Sequence, residues 1–160
     1  MKAVAIFLVV LVLAACAGIG YLYFGSNLTV SYTSCIANDP LVQQDAYNSL
    51  KTSIDTGSFV GIRYSDSPLS SPEDYLFYTW TVHLDNKSFL PANVIEIRVT
   101  PMKEDLLCVG DPSEHTLSPR SSTDLSVTML TARNMHSVRE AVVTWYVWGL
   151  PFSSRLTLGK

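Results

Sequence analysis

The stretch 75–85, YLFYTWTVHLD, alternates by side: Leu76, Tyr78, Trp80, Val82 and Leu84 fall on one face, and Thr79, Thr81, His83 and Asp85 on the other. A period of two is that of a strand with one buried face. NVIEIRVT repeats it, with Ile95, Ile97 and Val99 inward, as does DLSVTMLT through Leu125, Val127 and Met129. Residues 141–148, AVVTWYVW, are apolar on both faces, as in a central strand or one whose second face is covered. Weaker strands are expected at 28–36, 58–64, 105–109 and 154–159.

Turn chemistry separates these runs at Asp85-Asn86-Lys87, Thr100-Pro101, Gly110-Asp111-Pro112, Ser118-Pro119 and Asn134-Met135-His136. Seven or eight short strands at such spacing predict an antiparallel β-sandwich. One helix interrupts them over 40–55: Asp39 caps, Pro40 takes the first position, Ala46, Tyr47, Leu50 and Ile54 form a stripe, and Gly57 follows the end. It is expected across an open end of the sandwich. The segment 65–74, with two prolines, reads as a polar, mobile loop.

The N-terminus has a different pattern. Ala3 to Phe24 carry no charged or amide side chain, and 22 helical residues reach about 33 Å, enough for a hydrocarbon core of ~30 Å. Residues 1–25 therefore read as a signal-anchor helix and 26–160 as one exported domain. A second reading competes: Leu13-Ala14-Ala15-Cys16 resembles the bacterial lipobox, in which the signal is cut before the cysteine and the Cys16 thiol is lipidated. Against it, residues 17–24 stay apolar where a polar tether usually follows. Tyr21, Tyr23 and Phe24 fit an aromatic belt at the bilayer exit. Lys2 precedes the span and the next basic residue is Lys51, which places the domain outside the cytoplasm under either reading.

Composition narrows the function. Lys2 is the only charged residue before Leu28, leaving 10 Lys and Arg against 14 Asp and Glu in the domain, interspersed. With no concentrated basic face, a nucleic-acid partner is not expected. Export makes a Cys35–Cys108 disulfide the expected pairing, closing a long loop; the alternative is two separate buried thiols. Asn27-Leu28-Thr29 and Asn86-Lys87-Ser88 match the glycosylation pattern, relevant only in a eukaryotic host.

No residues are assigned to catalysis, a metal or a cofactor. His83, His115 and His136 lack zinc spacing; His83 reads as a solvent-face strand residue and the other two as loop residues. No GxSxG elbow is present. Glu73-Asp74 and Glu104-Asp105 read as solvated loop edges. One surface invites a binding role: if Trp145 and Val147 face the core, Tyr146 and Trp148 face the other way beside Phe152, forming an apolar partner patch. The preferred expectation is that the helix covers it.

TVHLDNKSFLPANVIEIRVTP, followed by HTLSPRSSTDLSVTML, resembles the late embryogenesis abundant type 2 and related immunoglobulin-like exported domains, over roughly residues 79–130. The resemblance implies a fibronectin-like sandwich and carries over no catalytic residues. The expected function is a non-enzymatic, membrane-tethered domain contacting the bilayer through its N-terminus and an envelope protein or glycan through its body. A carbohydrate-binding module and a hydrolase with an unrecognised site are the alternatives.

Overall fold

In a computed structural model, residues 2–25, 28–109 and 115–159 are described. The Asn27 glycosylation pattern, the turn at Gly110-Asp111-Pro112 and the belt side chains Tyr23 and Phe24 lie outside what is described. Helix α1, Lys2–Gly25, is continuous and apolar. After it come β1 (Leu28–Asn38), α2 (Gln44–Asp55), β2 (Gly61–Arg63), a 3-10 turn at Pro72–Asp74, β3 (Tyr75–Asn86), β4 (Ala92–Val99) and β5 (Asp105–Val109). The chain ends with β6 (His115–Leu117), β7 (Ser122–Ala132), β8 (Arg139–Val147) and β9 (Leu150–Leu158).

The strands form two antiparallel sheets, ordered β1-β3-β7-β5-β2 and β6-β4-β8-β9. The alternation in β3 aims Trp80, Val82 and Leu84, all 0% exposed, between the sheets, where Val127 and Met129 meet Ala141, Val143, Trp145 and Val147. Burying that much aliphatic and indole surface is the main term holding the layers together. At one end Tyr78 Oη donates to Met135 O at 2.9 Å and Trp80 Nε1 to Ser137 O at 3.0 Å, fastening the β7–β8 connection to β3.

A third layer lies on the outer face of the five-stranded sheet, and this corrects the placement expected for the helix. Helix α2 does not cross an open end of the sandwich. Its Tyr47, 2% exposed, is buried among Leu69, Tyr75, Phe77, Leu107 and Leu130 on the sheet's outer face. The helix also begins later than expected, because Asp39 accepts the N–H of Leu41 and closes a turn ahead of it. Its end is as read: Gly57, at φ 71°, donates to Ile54 O, and Ser58 N–H reaches Ser53 O, the Schellman arrangement. Segment 65–74 is fastened as well, through Tyr47 Oη to Ser70 O at 2.9 Å and Ser70 N–H to Tyr75 Oη at 3.0 Å.

The expected Cys35–Cys108 disulfide is not formed: both thiols are free. Cys35 lies opposite Trp80 on β1 and Cys108 opposite Met129 on β5, with β3 and β7 between them. Three inter-strand steps of ~4.8 Å exceed the ~7 Å limit for a bridge. His115 is a β6 residue rather than a loop residue. Asn86 is a buried strand end, 1% exposed, and its amide donates to Leu90 O, Leu117 O and Ser118 O. A glycan has no access there.

Candidate functional site

The aromatic surface singled out from sequence comes apart when the β8–β9 hairpin is laid out. Trp145 pairs with Phe152 and Tyr146 with Pro151, so Phe152 shares the inner face with Trp145. Their rings stack with centroids 6.1 Å apart. Tyr146, 40% exposed, points outward, and Trp148, 68% exposed, stands on the two-residue turn. No helix covers them, since α2 lies on the other sheet. Phe152 therefore drops out of the expected patch, which leaves Tyr146 and Trp148 exposed.

Trp148 has φ 51° and Gly149 φ 77°, the type I′ geometry that two-residue hairpins prefer. Glycine and asparagine take that geometry readily, whereas an indole-bearing residue there costs about 1 kcal/mol. An exposed tryptophan held in a disfavoured conformation has no role in the core.

A concavity lies between α2 and the outer face of the five-stranded sheet. It is an open groove of about 610 Å³, lined by Asn38, Gln43, Ser49 and Ser53 together with the apolar Leu50 and Phe77. Its hydroxyl and amide rim over an apolar floor suits a peptide or small polar ligand. The sequence shows the stripe that seats α2 but not the groove, because the gap depends on how far the helix stands off the sheet.

Three groups of hydrolytic type come into register on the same sheet face. Ser31 lies opposite His83, and His83 opposite Asp124, on β1, β3 and β7. His83 Nδ1 and Asp124 Oδ1 are 2.6 Å apart, with both side chains half exposed. The same ladder continues with the Thr81–Ser126 and Thr79–Thr128 hydroxyl pairs. The row lies on a solvent-exposed face, where such cross-strand pairs tie neighbouring strands together. His136 lies in the β7–β8 connection, where its carbonyl accepts from Arg139 Nη1 at 2.7 Å. Among the described residues no three His, Cys, Asp or Glu side chains converge on a possible metal position.

Asp105 was expected at a solvated edge and is instead the anchor of a buried ion pair. Arg139 Nε donates to its Oδ2 at 2.9 Å and Arg139 Nη2 to its Oδ1 at 2.6 Å, with both side chains 0% exposed. Burial pushes the Asp105 carboxyl up, but bonds from Arg139, the Met102 N–H and Thr131 outweigh it and hold the group below the usual carboxylate range. The pair joins β5 of one sheet to β8 of the other, which is a structural role. Parity could have found Arg139, since it lies two residues before Ala141 on the inward side of β8.

The thiols are equally structural. Burial pushes Cys108 up to about 11 and raises Cys35, so both are protonated and poor nucleophiles at neutral pH. Cys16 is exposed on α1, at the position where the lipobox-like reading places a lipid.

No family model matches the chain, and no curated protein matches it. Among solved structures, a FixG-related protein from Vibrio parahaemolyticus is similar over 85% of this chain and 96% of its own, at 10% identity and a TM-score of 0.39. A candidate lipoprotein from Bacillus subtilis is similar over 61% of this chain, at 13% identity and a TM-score of 0.31; the match spans a third (33%) of that protein. Scores under 0.5 leave function to be read from this chain's own residues.

Proposed function

We propose that this chain is a membrane-anchored, extracytoplasmic binding domain with no catalytic role, in which α1 spans the bilayer uncut and the β body engages an envelope protein or polymer. One observation carries this reading. The window Ala3–Tyr21 is helical and strongly apolar, and none of it is buried against the β domain. Apolar surface on that scale needs a non-aqueous environment, and α1's 24 residues, about 36 Å, match a bilayer core. Lys2 ahead of the span supports a cytoplasmic N-terminus.

The two-sheet architecture supports reading the body as immunoglobulin- or fibronectin-like, in keeping with the sequence resemblance. The groove beneath α2 is the surface we assign to the ligand, since it combines a polar rim and an apolar floor in one place. A photoreactive residue at Ser49 should then form an adduct with an envelope protein or glycan in living cells, while one at Arg155 on the opposite sheet should not. Adducts at neither position, together with normal growth of a strain lacking the protein, would overturn the reading.

A further inference from the structure

We infer that one end of the β domain lies against the headgroup region of the leaflet from which α1 emerges. The inference rests on the anchored reading above. Strand registers define the end: β1 starts there at Leu28, paired with Asn86 at the finish of β3, and Asp85 pairs with Ser122 at the start of β7. In the other sheet, Ala92 pairs with Leu117, Asn93 with Tyr146, and Val147 with Leu150. The connections 87–91, 118–121 and 148–149 therefore gather at the end where β1 begins. Gly25, the last residue of α1, is three Cα steps from Leu28, a reach of at most about 11 Å. If α1 spans the bilayer, this end cannot stand far from its surface.

The side chains of this end fit such a surface. Trp148 is 68% and Phe89 64% exposed, and Val94 and Leu150 are also exposed. Indole and phenyl rings prefer the headgroup level, where an amphipathic ring meets both phases. The three connections carry Lys87 and Arg120 and no acidic residue. Lys87 lies 3.7 Å from Asp85 on the adjoining strand, and the Arg120 guanidinium sits 4.2 Å over the Phe89 ring. The far end, by contrast, carries Asp39, Glu73, Asp74 and Glu104 against Lys103 and Arg133. An anionic leaflet would attract the first end and repel the second.

Backbone conformation points to the same end. Among the described residues, those other than glycine with positive φ are Val94 at 50°, Arg120 at 53° and Trp148 at 51°. All three belong to this end, and none is a residue type that adopts the left-handed region readily. Strain of this kind persists where the surroundings require a particular presentation of side chains. Asn86, buried behind them, ties 87–91 to 118–121 through its bonds to Leu90 O and Ser118 O. Two of the three connections are thus hydrogen-bonded to one buried amide.

The test uses the full chain reconstituted into vesicles of phosphatidylethanolamine and phosphatidylglycerol, some carrying a nitroxide on the headgroup. Flotation first reports whether the chain is anchored. The emission lost in Trp148→Phe, taken as a difference spectrum, should then be quenched at least twofold by the nitroxide lipid. A tryptophan introduced at the far end, Lys103→Trp, should show no quenching. Placing the reporter on the neighbouring loop, Phe89→Trp in the Trp148→Phe background, should restore the quenched signal. Protein that floats with the vesicles but shows no quenching of an indole at position 148 or at position 89 overturns the docking while leaving the anchor intact. Protein that fails to float overturns both.

Discussion

Arg139 and Asp105 show how much a single buried contact can decide. Each compensates the other's desolvation, so removing one leaves an uncompensated charge between the sheets, which costs about 3–5 kcal/mol. Asp105→Asn should lower the stability measured by urea unfolding by that amount, whereas replacing both partners with apolar residues should cost less. The pH dependence has a fixed sign. A carboxyl held below its ordinary value contributes stability above the ordinary carboxylate range, and that stability disappears as pH falls through the lowered value. The wild-type protein should therefore lose stability steeply at acid pH, and Asp105→Asn should flatten that slope. Trp148 makes the opposite case. Trp148→Asn should leave the fold stable or raise its stability by about 0.5–1 kcal/mol, because asparagine takes positive φ readily. A drop in thermal midpoint for that variant would mean that the indole packs in the fold rather than serving a surface.

At the scale of elements, the two helices test different physics. Tyr47 holds α2 to the sheet, and Tyr47→Ala should cost about 3–5 kcal/mol through lost burial and the cavity left behind. Hydrogen exchange in residues 44–55 should accelerate in that variant while β3 and β7 keep their protection. Helix α1 runs through Cys16 without a break. An uncut anchor predicts an intact mass for the membrane-extracted chain that includes residues 1–15 and no acyl groups. Loss of those residues with added lipid would establish cleavage at the lipobox-like site instead. What sequence makes legible at this scale follows from local pattern: β3, β4 and β7 are visible as alternation, β8 as a run apolar on both faces, and the Gly57 end of α2 as turn chemistry. β6 is not visible: its three residues, His115–Leu117, carry no β-branched or aromatic run beyond Thr116. The placement of α2 escapes the sequence for a different reason. Its apolar stripe says that it packs, while the face it packs on is set by Phe77, Leu107 and Leu130, which lie on three different strands.

Across the whole molecule, topology overrides the chemistry expected of the compartment. Export would favour a bridge between Cys35 and Cys108, yet the order β1-β3-β7-β5 holds them three inter-strand steps apart. Non-reducing mass spectrometry of the denatured protein should show both thiols as free, and alkylation of the native protein should be slow at both. The candidate surfaces are only partly legible: Trp148 and Tyr146 stand out from sequence, whereas the groove, the Asp105–Arg139 pair and the clustering of Phe89 and Arg120 with Trp148 depend on contacts distant in the chain. The central claim, that α1 delivers the β domain to the far side of a membrane, has a direct test. With the native cysteines replaced by serine, Lys51→Cys on the exposed face of α2 is treated with a membrane-impermeant maleimide in intact cells. Export predicts full labelling before permeabilisation; labelling only after the membrane is opened would contradict it.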